Sequence, residues 1–168
     1  MSPIPTLTTD RLRLTPPDAT HFPAYCAFYS DAEASGFYGG PLDAPLVWRR
    51  LAQDIGHWTL RGHGMWAVVD RTTGETYGGC GVIQPHGWPR HELSWWILPS
   101  ARRRGFAEEA SRAAIRWAGQ ALGWRAVETH MKDENTAAKA LAVKLGGEVI
   151  AREVFPDGVE RSVFEFKT

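Results

Sequence analysis

The chain has 168 residues, 43% of them apolar and 23% charged, and its 19 basic residues balance 19 acidic ones. That is the composition of an ordinary globular domain with a sizeable core, and a zero net charge gives no pull toward nucleic acid or an anionic membrane surface. No apolar run can span a bilayer, residues 1–11 lack a signal-peptide core, and the cysteines Cys26 and Cys80 have no metal or redox spacing, so the expectation is a reduced, cytoplasmic protein.

Thr9–Leu14 alternates, with Leu12 and Leu14 on one face, and predicts a first strand that Pro16 and Pro17 end. Asp18 can cap a helix to about Tyr29, and Ser35–Pro45, rich in glycine and proline, reads as a loop. Asp43 can cap a second helix to about Leu60, which Gly62 and Gly64 stop. A meander follows: Met65–Asp70, a Thr73-Gly74 turn, Thr76–Ile83, another turn, and His91–Leu98. Gly78, Gly79 and Gly81 inside the second of these strands predict a bulge or a close backbone approach. A helix from about Gly105 carries Ala110, Ala113, Ala114, Trp117, Ala118 and Ala121 on one face, and Gly123 closes it. Ala126–Met131 reads as a strand, Asn135 as the cap of a short helix ending at Leu145, and Glu148–Phe155 with Val159–Phe166 as a hairpin. No linker, repeat or low-complexity tract divides residues 1–168, which read as one domain. The expected fold is α/β: a mixed, mostly antiparallel sheet flanked by helices, in the order β-α-α-β-β-β-α-β-α-β-β. One parallel pair is expected at the strand-helix-strand crossover near Ala107.

The most informative stretch runs from His91 to Ala110, where a strand ends at Pro99, a basic turn follows and an amphipathic helix begins. The turn reads Arg102, Arg103, Arg104, Gly105, Phe106, Ala107, or Arg-x-x-Gly-x-Ala. A glycine that admits close approach, the free N–H groups of a helix N-terminus and three guanidinium groups together suit a diphosphate. Glu108 and Glu109, in the same first turn, would repel it and must point aside.

These residues carry a resemblance. With Glu-Glu-Ala at 108–110, Gly-Met-Trp-Ala-Val at 64–68 and Asn-Thr-Ala-Ala…Lys-Leu-Gly-Gly across 135–147, the chain resembles the GNAT superfamily of N-acetyltransferases, in the branch of the RimJ/RimL type. The resemblance implies acetyl-CoA as donor, with no metal, and a splay between the fourth and fifth strands. It places the diphosphate on residues 102–107 and the pantetheine arm along the backbone of Trp96, Ile97 and Leu98. Asn135 then lies near the arm, and Ala138 stands where the branch often has a serine. A tyrosine common in relatives is replaced by Ala142, and a phenylalanine after the closing glycine by Gly147, so neither usual acid for the leaving thiolate is present.

Transfer to an amine needs a base, because an α-amine with a pKa of about 8 is mostly protonated at neutral pH. Glu92 matches the strand glutamate that serves as base in several relatives, and His130 on the facing strand is a second candidate. A backbone N–H at Trp96 or Ile97 would hold the oxyanion. Phe37 and Tyr38 lie where the family places acceptor contacts, and Trp66 and Trp95 could wall an acceptor cleft. His57 and His63 read as surface residues. The acceptor implied is a primary amine, on a small molecule or a protein N-terminus; no nucleic acid or membrane partner is expected, and a homodimer is left open. The chain's neutrality favours a neutral or monobasic amine. Two other readings compete: a non-catalytic acyl-CoA-binding or sensing module on the same fold, which the missing acids favour, and a carbohydrate-binding platform of tryptophans, which the helices and basic turn disfavour.

Overall fold

In the computed structural model, which describes residues 3–168, the predicted first strand is a small hairpin, β1 (Leu7–Thr8) against β2 (Leu12–Thr15). Thr9 makes the turn: its N–H donates to the Leu12 carbonyl (2.9 Å) and its hydroxyl oxygen accepts from the Leu12 N–H (3.0 Å). Asp18 caps a 3₁₀ turn, Ala19–His21, that runs into α1 (Phe22–Tyr29). Part of the predicted loop is helical. Asp31 caps α2 (Ala32–Ser35) by accepting from the Ala34 N–H, and a 3₁₀ turn, Gly36–Tyr38, follows. Asp43 caps α3 (Ala44–Arg61) as expected, and Gly62, at φ 74°, ends it.

The meander comprises β3 (Met65–Asp70), β4 (Thr76–Ile83) and β5 (Glu92–Ile97). After it come α4 (Phe106–Leu122), β6 (Ala126–Met131), α5 (Thr136–Lys144), β7 (Glu148–Val154) and β8 (Glu160–Lys167). The strands form two sheets, β1-β2-β3-β4-β5 and β6-β8-β7, and every pairing in them is antiparallel. The expected parallel pair is therefore absent, because β5 and β6 splay apart. Only one end of the V is tied: the Thr129 hydroxyl donates to the Leu93 carbonyl (2.8 Å), and the Glu128 N–H donates to His91 Nε2 (3.0 Å).

Strand alternation builds two cores. Leu12, Leu14, Trp66, Val68, Cys80 and Val82 face α4, where Ala110, Ala114 and Ala118 are wholly buried small residues that let the helix lie close. On the other face, Trp96 and Met65 pack against Tyr25, Phe28, Val47 and Leu51 of α1 and α3. The glycines of β4 serve close approach, as their sequence predicts. A Cβ on Gly79 would strike the Trp96 indole (2.8 Å from Cε2), and one on Gly81 would enter the Gly64–Met65 backbone (2.7 Å from Met65 Cα). Backbone cannot yield as a side chain end can, so Gly81→Ala should lower stability by about 1–3 kcal/mol in urea unfolding, with the fold retained.

Two histidines expected at the surface are buried. His57 Nε2 accepts from the Gln84 N–H (2.9 Å) and its Nδ1 bonds the His63 carbonyl (2.6 Å), while His63 Nδ1 bonds the Val82 carbonyl (2.8 Å). They staple the end of α3 to β4, and this backbone demand outweighs the polarity that suggested exposure.

Candidate active site

The open end of the V is flanked by two clefts that meet. One, of about 580 Å³, is lined by the basic turn, by Ala34 and Phe28, and by Ala137, Ala138 and Leu141 of α5. The other, of about 370 Å³, is lined by Glu92, His130, Trp88 and Lys132. Phe37, Tyr38, Trp95, Asn135 and Ala138 line both and form the aperture between them.

The turn in the first cleft has the geometry of an anion cradle. Arg103 (φ 59°) and Gly105 (φ 80°) are left-handed, and no side chain caps the N-terminus of α4. Arg103, Gly105, Phe106 and Ala107 line the cleft. Arg102 also lines it, while its Nε donates to the Ile97 carbonyl (3.2 Å). Arg104 departs from expectation: its guanidinium stacks on Tyr77 and Phe106 (5.2 and 4.6 Å) and lies outside both linings. Both acidic residues have partners, but only Glu109 points aside, since Glu108 also lines the cleft. Glu109 accepts from the Thr9 hydroxyl, the Arg11 N–H and Arg11 Nε, and Glu108 pairs with Arg112 and Lys144. Asn135 caps α5 by accepting from the Ala138 N–H (3.2 Å).

On β5 the alternation corrects the expected backbone set. The Leu98 N–H donates to the Tyr77 carbonyl beside β4 (2.8 Å), so Trp96 and Leu98 present their N–H groups to β4 rather than to the gap. Leu93, Trp95 and Ile97 face the gap. The Leu93 carbonyl accepts from Thr129, that of Trp95 from the Tyr38 hydroxyl (2.6 Å), and that of Ile97 from Arg102. What β5 offers a ligand at the aperture is chiefly two N–H donors, those of Trp95 and Ile97.

In the second cleft Glu92 and His130 come together, with Oε2 and Nε2 3.6 Å apart. Burial pushes the Glu92 carboxyl up to about 7, against the opposing pull of Arg161 and Arg50. Burial, with Arg161 and Arg90 nearby, pushes His130 down to about 4. Its ring stacks on Trp88 (6° between planes) and lies 4.2 Å from Phe155, and its buried Nδ1 has no partner among the described residues. Trp66 is not at the site. It is 0% exposed, packed edge-on against Trp58 and Trp117, with Nε1 donating to the Pro5 carbonyl (2.7 Å). It lies on β3, with β4 and β5 between it and the gap. Of the tryptophans, Trp88 and Trp95 line the second cleft.

The sequence reading missed Arg50, Arg90, Lys132 and Arg161 in that lining. Arg50 lies on α3, one residue before the buried Leu51, and Arg161 on β8, and no local motif marks either. Among the described residues no three His, Cys, Asp or Glu side chains gather as metal ligands, and no helix is long and apolar enough to cross a membrane.

The family model for the GNAT acetyltransferase domain matches residues 11–148. The chain belongs to the GNAT family. It is an N-acetyltransferase of that family, and its sheets flanked by helices are the family's fold. An acetyltransferase from Agrobacterium tumefaciens superposes with a TM-score of 0.90 at 31% identity, over 100% of this chain and 97% of that one. The Bacillus subtilis protein YkkB is 25% identical over 83% of each chain. The RimL ribosomal L7/L12 α-N-protein acetyltransferase shares the fold, with a TM-score of 0.80 at 14% identity over 98% of this chain and 94% of its own. GNAT acetyltransferases use acetyl-CoA.

Proposed function

We propose that the chain transfers an acetyl group from acetyl-CoA, bound in the 580 Å³ cleft, to a primary amine held in the 370 Å³ cleft. The observation that carries the reading is the shared aperture. An uncapped helix N-terminus lies on one side of it and a carboxyl poised near neutrality on the other. The residues fit the donor. The left-handed turn at Arg103–Gly105 leaves amide donors for a diphosphate, and the small Ala137 and Ala138 leave room for an arm between α5 and β5.

The donor supplies an activated acyl carbon with a thiolate as leaving group. Glu92, ionised above about pH 7, takes a proton from the bound ammonium and frees its lone pair. The nitrogen forms the C–N bond, the C–S bond breaks and the thiolate leaves with its electron pair; the nitrogen sheds its second proton to water, and water protonates the thiolate. The N–H groups of Trp95 and Ile97, aimed into the gap, hold the carbonyl oxygen as it gains charge. Ala142, wholly buried, and Ala138, nearly so, carry no proton donor. A thiol with a pKa of about 8.5 leaves without one. His130, neutral and stacked, shapes the wall beside Glu92 rather than competing with it for the proton.

The fold shared with RimL keeps a protein N-terminus among the acceptors to be tested, beside small-molecule amines. Incubation with acetyl-CoA and an amine panel, reading free thiol, tests the reaction. Amine-dependent thiol release is the expected result, and tight CoA binding without it would sink the reading. The donor cleft has its own test. Arg103→Ala should raise the KM for acetyl-CoA about 3- to 10-fold and leave the amine KM nearly unchanged, whereas Arg104→Ala, whose side chain faces Tyr77, should change the donor KM less.

A further inference from the structure

We infer that the amine acceptor carries an anionic group beside its amine, in the manner of a free α-amino acid with an apolar side chain. The inference rests on the acetyl-transfer reading above and names the acceptor class for it. Among the described residues four cationic side chains, Arg50, Arg90, Lys132 and Arg161, line the smaller cleft, and Glu92 is its only carboxylate.

Two of the four are neutralised from outside the lining. Arg90 pairs with Glu128 and Glu153 (2.8 and 2.7 Å), and Arg161 binds Asp157 in a two-pronged pair. Arg50 and Lys132 are different. Neither has a carboxylate within 4.0 Å among the described residues. Arg50 donates only one NH2 bond, to the Tyr38 carbonyl (3.0 Å), which leaves donors of its fork unspent.

The rest of the wall includes Tyr29, Ile83, Trp88 and Trp95, which lower the local dielectric and strengthen a charge contact there. An acceptor with its ammonium at Glu92 and its carboxylate toward Arg50 and Lys132 would satisfy all three. A polyamine or other polycation would place further positive charge beside Arg50 and Lys132. The volume, about 370 Å³, is at the small end for ligand sites and suits a compact molecule.

The test compares leucine and phenylalanine with their carboxamides, and with spermidine, in the thiol-release assay on the intact protein. The carboxamides have the less basic amines and so the intrinsic advantage. The acids should nonetheless be favoured at least about tenfold in kcat/KM, and spermidine should be the poorest acceptor. Lys132→Gln should cut the preference to about threefold or less, acting through the amine KM. Calorimetry with N-acetylphenylalanine and its amide on the apo protein gives a readout free of turnover, and the acid should bind more tightly. Equal use of acids and amides, or preference for spermidine, overturns the acceptor class and leaves acetyl transfer standing. Selective binding of the acid with no thiol release from any amine supports the anion site and overturns the transfer reading instead. No selectivity in either assay overturns the inference.

Discussion

Glu92→Gln should lower kcat/KM by about 100-fold or more at pH 7.5, with the KM for acetyl-CoA nearly unchanged. The glutamine keeps the size of the side chain and its place beside His130, so what is lost is the proton acceptor. Wild-type activity should climb as pH rises through about 7, where Glu92 ionises, and the variant should lack that limb. An initial-rate pH series on both proteins reads this directly. Unchanged activity in the variant would remove Glu92 from the reaction.

The same substitution should raise stability, and the sign follows from burial. In the unfolded chain the carboxyl titrates near 4.5, and in the folded chain near 7, so the folded state holds the extra proton between those values. Stability therefore falls as pH rises from about 4.5 to about 7 and stays lowered above that. The span corresponds to about 3 kcal/mol at most. Glu92→Gln should match wild type near pH 4 and exceed it by up to that amount at pH 8, read by urea midpoints. A gain in stability with a loss of rate is the signature of a group kept in place for chemistry.

The largest structural effect belongs to Trp96→Ala, which should cost about 3–5 kcal/mol, a large share of a domain's total stability. Trp96 is 1% exposed, packs on Tyr25, Phe28 and Tyr29 with centroids 4.8–5.7 Å away, and lies over the bare backbone of Gly79. Neither neighbour group can close that void, because the aromatics are anchored in α1 and Gly79 has no side chain. Trp96→Phe should cost much less, since it also removes the buried indole N–H, which has no partner among the described residues. Equilibrium urea unfolding of the two variants gives the comparison. A small loss for the alanine would mean that the α1 face of the sheet repacks freely.

Much of this molecule was legible in local pattern. Asp43 and Asn135 cap the helices they were expected to cap, Gly105 opens α4, and the crowded glycines of β4 do face backbone and indole. Other readings needed strand order, which a single strand does not carry. Trp66 and Trp95 share one face of the sheet through Cys80 between them, and only the order, with β3 inside and β5 at the open edge, decides that Trp95 reaches the aperture and Trp66 does not. Parity along β5 likewise gives the gap the amides of Trp95 and Ile97 rather than those of Trp96 and Leu98. Arg50 on α3, Lys132 just after β6 and Arg161 on β8 are far apart in sequence, so their convergence is a tertiary fact. Gly147 shows the reverse lesson. A Cβ there would lie 2.6 Å from Phe166 Cε1, so the ring from β8 occupies the space that a side chain at 147 would need.

The aperture at Tyr38 and Trp95 has a kinetic meaning on the proposed reading. Each substrate enters through its own cleft, and neither has to leave for the other to arrive. Both can be bound at once, and the acetyl group has no need to rest on the protein between them. The turnover cycle is then a single ternary encounter, and either product can depart along the route by which its parent came in.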